Sequence, residues 1–184
     1  MGSTGILITT ISRIQQVEEN SKKYRLLDNS LYWDEDGTLY LVPRNFISDG
    51  YTIPNWVAWI AGGKMEHDLR PAHFHDFFCQ YHAAIRVNTT MLELRKAGLV
   101  RKHYDKDTHK WFTICDDIPT HLLEYVPMTK WETDCAFKRL MKATKRIKHW
   151  RVNLMRGGVF FNVGWVWSGK KAYDLEKCYK VQDE

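Results

Sequence analysis

Cysteine is scarce in this chain and scattered. Cys79, Cys115, Cys135 and Cys178 form no C-x-x-C pair, which excludes the zinc-knuckle spacing and argues against a disulfide framework. Free thiols in a reducing compartment are therefore expected. The opening "MGSTGILITTISRI" lacks a positively charged leader followed by an apolar run, so no signal peptide is expected. Long hydrophobic runs are missing too. The longest late one, "GGVFFNVGWVW" (157–167), is broken by Gly164 and too short for a membrane helix, so no membrane insertion is expected. Neither sign of charge dominates. The formal net charge of +5 falls short of the dense basic signature of a dedicated nucleic-acid binder. The basic run "KRLMKATKRIKHWR" (138–151) reads as the solvated face of a helix. No internal repeat is visible.

What the chain does have is apolar and aromatic mass. With 44% hydrophobic residues and eight Trp in 184 positions, it can build one good core. The first third reads as β-structure. "ILITTISRI" and "KYRLLDNSLYW" are rich in β-branched and aromatic residues, and "DEDG" (34–37) is a turn before "TLYLVP". Residues 23–33 and 38–42 are thus expected to pair as a hairpin, giving an N-terminal β part over about 5–50 with roughly three strands. Helical character then covers about 54–90 and 128–150. Asp68 is a candidate N-cap, and Thr129 with Glu132 makes a capping box ahead of the stripe Ala136, Leu140, Ala143 and Ile147. Between them, 91–127 reads as an insertion: a short helix ending at Gly98, then two strand-like runs around "DKDTH". That order resembles the helix and wing of winged-helix DNA-binding domains. An aromatic segment, 151–184, closes a single domain. The fold class expected is α+β, a small antiparallel sheet packed on a helical unit.

Chemistry concentrates in "RPAHFHDFFCQYH" (70–82). On a helix His75, Cys79 and His82 share a face, and Asp76 lies about 100° from His75. Imidazole and carboxylate suit Zn²⁺, Mn²⁺ or Fe²⁺, and about three protein ligands with one open position would activate a water. A structural reading stands beside this one. A histidine on an apolar face commonly serves a neighbouring carboxylate, and Cys79 between aromatics behaves as a small buried hydrophobe.

Four stretches, in this order, resemble the DUF1353 family of small, mostly uncharacterised bacteriophage and prophage proteins: "FISDGYTIPNW" (46–56), "AHFHDFF" (72–78), "ETDCAFKRLM" (132–141) and "RVNLMRGGVFFNVGW" (151–165). The resemblance covers about 38–90 and 128–165. Tyr51 replaces the family's usual small residue, and Phe78–Cys79 its usual Leu-Tyr. It implies a phage protein in the host cytoplasm or the virion. It also picks out four polar positions: Asp49, His75, Asp76 and Asp134. Their order is similar to that of the HD phosphohydrolases if His67 or His73 supplies the first histidine, although those domains are all-helical. Taken singly, Asp49 before Gly50 suits a turn, and Asp134 suits the early part of its helix.

Three functions remain open on the sequence. The first is a metal-dependent hydrolase of phosphoesters or cell-wall peptide, with His75 and Asp76 catalytic and Asp49, His75, Asp76 and Asp134 as metal ligands. The second is a non-catalytic virion, tail or assembly protein whose aromatic segment meets phage structural partners. The third is a small regulator or host-defence inhibitor that binds nucleic acid or a host protein through 91–127.

Overall fold

The computed structural model describes residues 5–9, 14–17, 23–48, 70–106 and 109–144. Its organising element is the hairpin of β4 (Ser30–Trp33) and β5 (Leu39–Val42). Leu31 pairs with Leu41 and Tyr32 with Tyr40 across the ladder. The turn between them is closed by Gly37 at φ 89, a conformation that β-carbon sterics make rare for other residues. Residues 23–33, expected as one strand, divide at Leu27–Asn29. β3 (Tyr24–Leu26) pairs with β2 (Ile14–Gln16) and β6 (Ile47–Ser48) in a separate three-stranded sheet. The Asn29 side chain secures the break. Its amide donates to the Asp116 carbonyl at 2.9 Å, and its oxygen accepts the Arg44 backbone N–H at 2.8 Å.

The main sheet has five antiparallel strands rather than about three, in the order β1-β4-β5-β7-β10, where β1 is Ile6–Leu7, β7 is Ala83–Val87 and β10 is Leu123–Pro127. The two extra strands come from regions read as helix and insertion. β7 lies between β5 and β10, with Ile85 opposite both Leu41 and Tyr125. It is buried at four of its five positions and carries Ile and Val, as a central strand should. Since β10 belongs to this sheet, the part of 91–127 that leaves the sheet ends at residue 122.

Helix α1 (Arg70–Tyr81) covers the tyrosine face of the hairpin. Phe74 meets Tyr32 edge-on at 6.0 Å, and Phe78 meets Tyr40 likewise at 6.0 Å. Phe74, Phe77 and Phe78 are fully buried, each contributing about 1.5–3 kcal/mol. Eight of the helix's twelve residues are buried, so it has no clean polar face. It ends because His82 adopts φ 52, and the chain enters β7 at the next residue. Helix α2 (Met91–Lys96) starts on a Thr90–Glu93 capping box and stops before Gly98, φ 76. It leads into the two-stranded ribbon of β8 (Val100–Asp105) and β9 (Lys110–Cys115), and a 3₁₀ turn at Thr120–Leu122 returns the chain to β10. Helix α3 (Lys130–Ala143) opens on the expected Thr129–Glu132 capping box and packs across α1. Ala136 and Leu140 are buried along its stripe and Ala143 packs at the margin, while Ile147 lies outside the described residues. The chain is an α+β protein. Among the described residues no helix is long and apolar enough to cross a membrane.

Candidate functional site

Where α1 crosses α3, the two helices bring a histidine and two carboxylates together. His75 is turned toward α3, with its ring centroid 4.5 Å from that of Phe137. Its Nε2 stands 3.6 Å from Asp134 Oδ1 on α3, and its Nδ1 stands 4.0 Å from Asp76 Oδ1 on α1. His75, Asp76 and Asp134 therefore converge on one imidazole. Asp49 lies outside the described residues, as do His67 and Asp68. His73 precedes His75 by two positions, which places it about 160° away around the helix, and it is fully buried. His82 does not continue the face of His75 and Cys79, because the helix has already ended at Tyr81.

Two further residues enter the cluster. Ser48, at the end of β6, donates its hydroxyl to Asp76 Oδ2 at 2.5 Å. Lys130, one turn before Asp134, donates its ammonium to both carboxylate oxygens, at 2.5 and 2.6 Å. The Asp134 side chain is only 1% exposed, so its charge is met inside the protein. Burial pushes the Asp134 carboxyl up. Hydrogen bonds from His75 and Lys130, with the Lys130 charge, outweigh that and hold it below its ordinary value. The Lys130 signal was present in the sequence as an i, i+4 pair. Lysine ahead of the acid is the weaker order on a solvated helix, and only burial makes the contact strong here. The Ser48 signal is its position beside Asp49 in "ISDG".

Cys79 Sγ lies 3.5 Å from His75 Nε2, a geometry that invites comparison with a thiol nucleophile and its base. The electrostatics point elsewhere. Burial pushes the Cys79 thiol up to about 12, so it stays protonated at neutral pH.

The geometry also bears on metal binding. The two carboxylates face opposite nitrogens of the same ring. An ion at Nε2 would meet Asp134 and leave Asp76 behind the ring; an ion at Nδ1 would do the reverse. Among the described residues no three of His, Cys, Asp or Glu are grouped so as to hold a metal ion. As arranged, the cluster can do two things: face α1 against α3 through the His75–Asp134 contact at 3.6 Å, and hold an imidazole between two carboxylates.

No protein-family model, curated protein or solved structure matches the chain.

Proposed function

We propose that this is a bacteriophage protein of the DUF1353 kind that acts by binding a partner, with the His75–Asp134 cluster serving to lock two helices together. One observation carries the reading. Both oxygens of Asp134 are taken by Lys130, and the carboxylate is sealed from solvent. The Lys130 ammonium therefore already occupies the place beside Asp134 that a bound cation would take. Held in place by Lys130, the carboxylate presents Oδ1 to His75 Nε2 of the other helix at 3.6 Å, a buried polar contact that bears on how the two helices meet. The partner would be a phage structural or assembly component, or a host molecule, met in the host cytoplasm or the virion.

A second reading, the metal-dependent hydrolase, is favoured by the pair of carboxylates around His75. In it His75 Nε2 and Asp134 would hold a Zn²⁺, Mn²⁺ or Fe²⁺ ion in place of the Lys130 ammonium. Asp76 would then orient the ring from Nδ1, as outer carboxylates do for metal-bound histidines. The ion would supply an activated water for attack on a phosphoester or peptide bond.

Metal analysis of protein purified without a histidine tag separates the two, alongside a His75→Ala/Asp76→Ala variant. The binding reading expects no metal in either protein, even after reconstitution, and a lowered unfolding midpoint for the variant. Near-stoichiometric metal in the parent, lost in a variant that still folds, would overturn it in favour of the hydrolase.

A further inference from the structure

At the base of the β8–β9 ribbon Val100 and Cys115 are buried opposite each other. Beyond them Arg101, Lys102, His103, Tyr104, Lys106, His109, Lys110 and Trp111 are all exposed. Side chains alternate across a strand, so Lys102 and Tyr104 share one face of the ribbon with their partners Thr113 and Trp111. Tyr104 and Trp111 stand directly opposite, ring centroids 5.2 Å apart at 53°, and are 40% and 64% exposed. His109, at φ 53, brings Nδ1 to 3.2 Å from the Tyr104 hydroxyl and steadies that ring. Lys106 follows immediately past the strand. Lys102, Lys106 and Lys110 make no ion pair among the described residues.

We infer that this ribbon is a docking arm for single-stranded nucleic acid, with Tyr104 and Trp111 as the stacking platform and Lys102 and Lys106 as phosphate contacts. The inference rests on the binding reading above and names its partner class. A cross-strand aromatic pair alone would be explained as a staple for the hairpin. A staple requires neither the exposure of Trp111 nor unpaired lysines on either side of it. Two residues along a strand span roughly 7 Å, so cation, ring and cation succeed one another at the scale of a stretched nucleotide repeat. Residues 100–116 hold four cations against three carboxylates, with Arg101 paired to Asp116 at the base and the lysines left toward the tip. Arg95 and Lys96, exposed in the last turn of α2, extend the positive strip toward the base, where α2 meets β8. A single strand is favoured over a duplex because open ring faces need unstacked bases, and aromatic stacking tolerates any base sequence.

Fluorescence anisotropy of a labelled oligodeoxythymidine with the full chain tests this. Binding should weaken steeply with salt. Trp111→Ala should weaken it about ten-fold, the scale of one lost stacking contact, and Trp111→Phe should keep most of it. Lys102→Ala/Lys106→Ala should flatten the slope of log K against log salt by about 1.4. Trp131→Ala, which removes an equally exposed indole on α3, should change nothing. Each variant alters surface residues, and a near-parental unfolding midpoint confirms that it folds. Absence of binding at low salt, an unaffected Trp111→Ala, or a duplex that competes as well as the single strand would overturn the inference. So would an acidic protein that needs the ribbon while the oligonucleotide does not. Those results would leave the binding reading standing. Bound metal would remove that reading whatever the oligonucleotide does.

Discussion

Arg139 of α3 reaches across 105 positions of sequence to grip Asp34, the residue that opens the β4–β5 turn. Its Nε lies 3.0 Å from both carboxylate oxygens, and its terminal nitrogen lies 2.8 Å from Oδ2. Asp34 also accepts the Tyr32 hydroxyl and the Glu35 backbone N–H, each at 2.8 Å, and its side chain is 1% exposed. This clamp ties the last described helix to the central hairpin. Burial alone would lower the Arg139 pKa, but the hydrogen bonds and charge of Asp34 raise it. Removing one partner of such a pair leaves an uncompensated buried charge, and the loss typically exceeds the worth of the pair itself. Arg139 is about a third exposed, so water would partly compensate. Arg139→Ala is expected to cost about 2–3 kcal/mol in urea unfolding. Arg139→Lys should recover only part of that, because an ammonium cannot reproduce the planar fork. Pairing Arg139→Ala with Asp34→Asn should cost less than Arg139→Ala alone; a larger loss would show that the carboxylate is not the source of the penalty.

The same clamp makes Gly5 costly to replace. A Cβ at Gly5 would lie 2.8 Å from Tyr32 Cζ and 2.9 Å from Cε2. The ring cannot swing aside, since its hydroxyl is held by Asp34 and its face by Phe74. Gly5→Ala is therefore expected to destabilise by about 1–3 kcal/mol through overpacking. Relief of that loss by a second change, Tyr32→Phe, would trace it to the pinned hydroxyl. Equal stability of parent and Gly5→Ala would mean that the edge strand β1 shifts freely.

Local signals were legible and long-range ones were not. The Thr129 capping box, the stop at Gly98 and the turn at 34–37 each depend on neighbours within a few residues, and each stands as the sequence implies. Residues 23–33 look like one strand because nothing in "LDN" reveals that Asn29 binds a loop 87 positions away. "AAIRV" follows a helix too closely to suggest a strand, and only its partners β5 and β10 make it one. The candidate site divides the same way. His75, Asp76 and Asp134 stand out as residue types, and the structure brings them together. That the two acids would occupy opposite ring nitrogens depends on a helix crossing that periodicity does not encode.

The sign of the Asp134 shift fixes how acid affects the fold. Its carboxyl ionises more readily in the folded chain than its ordinary value of 3.8. The stabilisation is therefore complete above that value and is lost as pH falls through the lowered one. The unfolding midpoint of the parent should drop as the pH is taken below about 4. Asp134→Asn should be less stable at neutral pH and show a shallower acid limb, because it has no carboxylate there to protonate. Parallel acid limbs for parent and Asp134→Asn would mean that the pair with Lys130 contributes nothing to the fold.

Thiol chemistry reads the interior directly. Cys79 and Cys115 are buried, and burial pushes both thiols up to about 12. Cys135 is half-buried on α3. In native protein at pH 8, an aromatic disulfide reagent should modify Cys135 while sparing Cys79 and Cys115, as read by site-resolved mass spectrometry. In urea all three should react. The raised values also bear on the alkaline limb, beside the raised Tyr32 and Tyr40. The folded state's preference for neutral thiols is intact below the ordinary 9.0 and is lost as pH rises toward 12. Replacing Cys79 by Ala should therefore flatten the alkaline limb, at a cost of about 1 kcal/mol or somewhat more at neutral pH for the small cavity beside His75. Rapid native modification of Cys79 would carry a different meaning. It would show that the His75 pocket opens to solvent and that a thiolate forms there, and the helix lock would give way to a chemically active site.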